Sequence, residues 1–183
     1  VSLAALFVIV LAQGKLAAIA HSSAKDLACS AALGFLNPFL YYVILFKAYS
    51  VLPAQEAQPL NWTWPIMLVL LSIAILKQPI RWASVLAVAI SFSGVLVIST
   101  RGDVLAFRFT NLPGALLALG SSIVWALFWI YNVKDYRDEI VKLFLNFVFG
   151  SIFTLAAVLF FGELRVPPSA GLLGVLWIGL FEM

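Results

Sequence analysis

Cysteine is nearly absent: Cys29 is the single thiol among 183 residues, so these residues can build neither an intrachain disulfide nor a thiolate metal cluster. Charge is also scarce. Asp, Glu, Lys and Arg together make up 10% of the chain, where a soluble domain carries about 25%, and a water-facing surface cannot be assembled from so few. Histidine occurs once, as His21 beside Ser22 and Ser23 at the end of an apolar run. It reads as a loop residue, which deprives most catalytic triads of their base. No GxSxG, HExxH, Walker or Rossmann glycine pattern is present. These absences point away from an enzyme, and neither a cofactor nor a metal is expected. The formal net charge is +3, but the eleven Lys and Arg are scattered singly along the chain rather than gathered on a face, which argues against a nucleic-acid surface.

What is present is apolar. Hydrophobic residues make up 64% and the mean hydropathy is +1.09. Crossing a bilayer takes about 20 residues of helix. The runs 1–20, 28–50, 53–76, 82–99, 113–133 and 140–162 meet that length, and a seventh starts near Ser169. The opening run lacks the basic leader and cleavage site of a signal peptide, so it reads as a span. Both ends fall inside apolar runs, and the chain therefore reads as a fragment truncated at both. The connections HSSAKDLA, VLPA, KQPIR, RGDVLAFRFTN, NVKDYRDEIVK and GELRVPPS are too short to hold a soluble domain. The expected fold is all-α, a polytopic transmembrane helix bundle. Spans joined so briefly are antiparallel neighbours, so the loops alternate between the two sides. Lys25, Lys77, Arg81, Lys134, Arg137 and Lys142 then share one side, against Arg101, Arg108 and Arg165 on the other. The basic bias makes the first side cytoplasmic.

The third run is too polar to face lipid along its length. Pro59 and Pro65 remove the helical hydrogen bonds to the carbonyls of Gln55 and Asn61, which predicts a kink or local unwinding. At about 100° per residue, Gln55, Gln58, Asn61, Trp62 and Pro65 share one face, with Glu56, Pro59 and Thr63 towards the other. Lys47 lies one turn before the VLPA junction and Glu56 one turn after it, so an ion pair between them is expected. An ionisable group inside a span costs about 2.5–3.5 kcal/mol. The pair therefore serves as a gate or charge-recognition device, or else merely neutralises itself while Lys47 snorkels outward. In the fifth run Gly114, Ala118 and Ser122 recur every four residues, beside Ser121, Trp125, Trp129 and Asn132. Small residues at that spacing suit a packing seam, with Trp125, the deepest aromatic, as the candidate ligand contact. Pro38 after Asn37 predicts a kink in the second run.

FKAYSVLPAQEAQPLNWTWPIMLVLLSIAILKQPIRWASVLAVAISFSGVLVIS resembles the second half of an EamA-type repeat of the drug/metabolite transporter superfamily. It matches in the Ala-bearing end of one span, the tight LPA junction, the Pro-bearing next span and the closing SGVLVIS. GALLALGSSIVWALFWIYN resembles the opening span of a second repeat. The resemblance implies ten helices in two inverted five-helix repeats, of which this chain would hold the second to the eighth. Residues 1–100 would be four helices of the first repeat, and 113–183 two helices and a truncated third of the second. IGLFEM from Ile178 echoes LGFLNP from Leu33, pairing Glu182 with Asn37. Many members of the family carry Gly-Glu after the fourth helix, where this chain has Lys77 and Gln78.

The function implied is a secondary transporter, exporting or exchanging small organic metabolites by alternating access, in a bacterial inner membrane. A broken, polar span at a repeat interface is where such a site belongs. The candidate substrate-binding residues are Asn37, Lys47, Glu56, Gln58, Asn61, Trp62 and Trp125. The partners expected are a small-molecule substrate and the lipid bilayer, with a homodimer left open and no nucleic acid. The alternative is a non-transporting membrane scaffold or assembly subunit that uses the polar span to dock helices.

Overall fold

The computed structural model describes residues 1–79, 81–100, 102, 110–162 and 169–181. Arg101, Arg108, Arg165 and Glu182, used above, lie outside the described residues. The helices are α1 (Ser2–Ala12), α2 (Leu16–Ala20), α3 (Ala24–Gly34), α4 (Tyr41–Val51), α5 (Ala54–Asn61), α6 (Trp64–Leu76), α7 (Trp82–Ser99), α8 (Leu112–Lys134), α9 (Glu139–Phe161) and α10 (Ser169–Phe181). No strand occurs among the described residues. Among the described residues five helical segments are long and apolar enough to cross a membrane: Ala24–Val51, Ala54–Leu76, Trp82–Ser99, Leu112–Lys134 and Glu139–Phe161. The fold is an all-α polytopic helix bundle.

The first run departs from expectation, because residues 1–20 do not form one continuous helix. α1 ends after 11 residues and helix resumes only at Leu16. Between them Gln13, Gly14 and Lys15 bring two polar side chains and a glycine at φ +65°, a left-handed cap that ends a helix.

The chain divides into two compact units, Val1–Phe39 with Asp135–Met183, and Leu40–Lys134. In the first, α3 and α9 approach until their backbones touch. A methyl group added at Gly34 would overlap the carbonyl of Asn146 and lie 2.8 Å from the Gly150 nitrogen. One added at Gly150 would overlap the Pro38 ring and lie 3.0 Å from the Gly34 carbonyl. Around this crossing Phe35 and Phe39 meet Phe153 at 5.7 and 6.1 Å, and α1 stacks Phe7 on Phe144. Both helices start from acidic caps: Ser23 and Asp26 form a capping box on α3, and the Asp138 carboxylate accepts from the Ile140 and Val141 amides of α9. Such carboxylates neutralise the helix N-termini. α3 gives way to a wide turn over Phe35–Leu40, in which Asn37 is extended at φ −144° and ψ 123°. A residue before proline is pushed there by the proline ring, which places the predicted kink.

In the second unit Leu52 and Pro53 alone join α4 to α5, with Leu52 extended at φ −119° and ψ 146° for the same reason. Pro59 sits within α5. The predicted interruption falls at Trp62 and Thr63, between the two prolines, and Pro65 occupies the first turn of α6, where its missing N–H is no loss. α8 forms the centre, its Ala115 and Ala118 packed on Ala48, Leu52, Ala57 and Leu60. This is the close seam that small residues permit. α6 ends on Lys77, held left-handed at φ +53°. A lysine in that conformation carries a steric cost of about 1–2 kcal/mol.

Candidate functional site

Which side of α5 is buried is decided by its apolar residues. Ala57 and Leu60 turn inward and carry Glu56 and Asn61 with them, so Glu56, Ala57, Leu60 and Asn61 are buried together. Gln58 and Trp62 face out of the unit, Trp62 at 61% exposure. The face proposed from the polar residues alone is therefore split: Asn61 points inward, while Gln58 accepts from the exposed Tyr49 hydroxyl at 3.3 Å.

Asn61 is the hub of a buried network. Its carbonyl accepts from the Tyr41 hydroxyl at 3.3 Å, and its amide donates to Ser121 Oγ at 3.0 Å, which donates on to the Ala118 carbonyl at 2.6 Å. One turn on, the Thr63 and Ser122 hydroxyls lie 3.0 Å apart, each 2.7 Å from a carbonyl three residues back, Leu60 for Thr63 and Leu119 for Ser122. Two protons thus serve three contacts. Above Asn61 the Tyr41 ring packs on Trp125 at 4.6 Å, and Trp64, Phe128 and Trp129 surround Trp125 at 6.3–6.4 Å. The Trp125 indole N–H is buried and meets no acceptor among the described residues. An indole donor normally finds one when buried.

Glu56 is 2% exposed. Its carboxylate accepts from the Thr110 amide at 3.1 Å and the Thr110 hydroxyl at 2.6 Å, tying the start of α5 to the approach to α8. Lys47 is exposed on α4, and the ion pairs among the described residues do not include Lys47 with Glu56. Glu56 instead accepts from Thr110, while Lys47 lies on the outer face of α4. In the first unit Asn37 is 4% exposed, and its side-chain oxygen has no donor among the described residues.

A second polar cluster lies at the start of α3 and α9, within the first unit. Arg137 donates through Nε to both Asp135 oxygens at 2.9 and 3.0 Å, and through Nη2 to Asp135 and, at 2.9 Å, to Ser30. Asp26 stands 3.9 Å from Arg137 Nε, Lys142 donates to the Asp135 carbonyl at 3.0 Å, and Lys15 pairs with Asp138 at 2.7 Å. The hydrogen bonds from Arg137 hold the Asp135 carboxyl below the usual range, and the Lys15 ammonium does the same for Asp138. These contacts bring the loops around Lys15 to Asp26 and around Asp135 to Asp138 to one end of the unit, as the alternation of loops requires. Among the described residues no group of three His, Cys, Asp or Glu could hold a metal ion.

The model of the EamA-like transporter family matches residues 1–100. The chain belongs to that family. Its relatives include an uncharacterized transporter of Acidianus ambivalens, 27% identical over 85% of this chain and 62% of the relative. The aromatic amino acid exporter YddG of Ancylobacter novellus is 25% identical over 79% of this chain and 49% of its own length. The uncharacterized transporter YvbV of Bacillus subtilis is 30% identical over 66% and 39%. This EamA-like chain thus spans less than two thirds of each of these relatives. No solved structure matches it.

Sequence reasoning missed Tyr41, Thr110 and the Arg137 cluster. The Tyr41-Tyr42 pair was a usable signal, since a phenol inside a span must find a partner. Thr110 and Arg137 sit in loops, whose partners depend on tertiary placement.

Proposed function

We propose that the whole protein is a secondary transporter that exports or exchanges small organic metabolites by alternating access. Two inverted repeats would do this, with residues 1–100 in the first and 113–183 in the second, in a bacterial inner membrane. The observation that carries this reading is the Trp125 indole: an idle buried donor inside an aromatic cage, resting on the Tyr41–Asn61–Ser121 network. Such a cage suits a flat apolar body bearing an acceptor oxygen, a carbonyl or carboxylate. The Ancylobacter relative, named as an aromatic amino acid exporter, makes aromatic amino acids the first substrates to try.

The test is uptake by the full-length protein in liposomes against a metabolite panel. Trp125→Phe keeps a ring and removes the donor. Losing one hydrogen bond of about 1.4 kcal/mol should raise KM about tenfold. Uptake no faster than in protein-free liposomes for every compound would defeat the transporter reading. An unchanged KM would remove Trp125 from the site. The scaffold alternative draws on a different observation, that Asn61 and Thr63 spend their hydrogen bonds docking α5 and the start of α6 onto α8. The same uptake assay separates the two readings.

A further inference from the structure

We propose that the cluster of Asp26, Ser30, Asp135 and Arg137, with the Lys15–Asp138 pair, is a releasable latch, closed in this structure, that must open during the transport cycle. The inference rests on the transporter reading.

α3 and α9 run parallel from the latch, and their backbones touch at Gly34 and Gly150. Gly34 lies eight residues beyond Asp26 and Gly150 eight beyond Lys142, about 12 Å along each helix at 1.5 Å per residue. A point contact at that distance can act as a pivot, leaving the latch to hold the helix starts together. A permanent joint would be built as the crossing is, from backbone and ring contacts.

The latch is built instead from partly exposed ions. Side-chain exposure is 27% for Lys15, 43% for Asp138 and 37% for Asp26, so water can take over those three, and such pairs hold weakly; Arg137 and Asp135, at 17% and 7%, are the buried half that stays together. Charge is balanced, with Lys15, Arg137 and Lys142 against Asp26, Asp135 and Asp138. The tightest pair, Arg137 with Asp135, lies within one loop and moves as a unit. Opening therefore breaks the contacts to Ser30, Asp26 and Lys15 and the long contact from Cys29 Sγ to Asp135. Arg137 Nη1 is buried and meets no acceptor among the described residues, so release gives that donor water and lowers the cost of opening.

Cys29 supplies the test, because its Sγ lies 3.9 Å from an Asp135 oxygen. In the full-length protein, with any cysteine outside these residues replaced by serine, Asp135→Cys creates a pair that copper–phenanthroline can oxidise. The two thiols lose two protons and two electrons to the oxidant and form one disulfide. Oxidation should cut uptake of a panel substrate to below a tenth, dithiothreitol should restore it, and Asp135→Ser should not respond to the oxidant. Should Asp135→Cys fail to fold, Lys15→Cys with Asp138→Cys in a Cys29→Ser background, bridged by a short bis-methanethiosulfonate, gives the same reading. Cross-linked protein that transports at the uncross-linked rate overturns the latch alone. Failure of the wild-type protein to move any panel compound overturns the transporter reading and the latch with it.

Discussion

The contact of α3 with α9 gives a prediction whose size can be worked from geometry. Gly34→Ala adds one methyl group, which would overlap the Asn146 carbonyl and lie 2.8 Å from the Gly150 nitrogen and 3.1 Å from Phe149 Cβ. The two nearest neighbours are backbone, so nothing can rotate away and the helices must separate. Overpacking of this kind costs about 1–3 kcal/mol. The same change also gains about 1 kcal/mol of helix propensity, and a matched control removes that contribution. Gly120 lies within α8 with nothing inside 4 Å of an added methyl, so Gly120→Ala should collect the propensity gain alone. The gap between the two variants is then the overpacking cost, about 1–3 kcal/mol. Gly150→Ala should fall on the same side as Gly34→Ala, because the Pro38 ring that it meets is rigid.

The assay is thermal unfolding of the full-length protein in detergent, followed by tryptophan fluorescence, with a shift of roughly 2–4 °C per kcal/mol for a chain of this size. Gly34→Ala combined with Gly150→Ala should cost less than the sum, since helices already parted by one methyl make room for the second. A Gly34→Ala protein that melts at or above Gly120→Ala would refute the reasoning, because the backbones could not then be in contact.

Two further outcomes follow from the polar contacts. Glu56→Ala removes the acceptor for the Thr110 amide and hydroxyl and should cost about 1–3 kcal/mol, while Lys47→Gln stays within about 0.5 kcal/mol. The double variant should equal the sum in the same melts, and a coupling above about 1 kcal/mol would restore the ion pair expected from sequence. For pH, Asp135 and Asp138 titrate below their ordinary value when folded. A depressed carboxyl stabilises above its unfolded pKa of about 3.9 and loses that contribution as pH falls through the folded one. The difference in melting temperature between wild type and Arg137→Gln should therefore be flat from pH 8 to about 5 and close below about 4. A difference that shrinks between pH 8 and 6 would assign it to another group.

Apolar run length made most of the spans legible, because a bilayer demands a fixed stretch of hydrogen-bonded helix and proline marks its breaks. The first run failed on three residues: Gln13, Gly14 and Lys15 carry too little weight in a 20-residue window to show, yet one left-handed glycine ends the helix. In α5 the error had a different source. Polar residues were used to choose the inward side, whereas Ala57 and Leu60 choose it, since burying carbon repays the turn and the polar groups follow if they find partners. Asn61 found Tyr41 and Ser121, and Glu56 found Thr110. Lys47 lies one turn before the junction as expected, but its azimuth on α4 was not legible, and nearness along the chain alone cannot make an ion pair. Trp125 stood out in the sequence as the deepest aromatic of its run, but that its indole meets no acceptor among the described residues depends on tertiary placement.

The two polar clusters differ in kind, and the membrane accounts for it. At the starts of α3 and α9 the groups are ions, set where water can reach them and where helix N-termini favour carboxylates. Along α8 the buried contacts come from Asn61, Thr63, Ser121, Ser122 and Trp125, all neutral. A binding group must stand idle whenever its ligand is away. An unmet neutral donor costs about 1–3 kcal/mol, whereas a stranded buried charge costs about 3–5 kcal/mol. A site that empties on every cycle is therefore cheaper to build from an indole and amides than from ions. Trp125, idle and caged by rings, fits that requirement, whereas Glu56, held by Thr110, fits a fixed joint between α5 and the approach to α8.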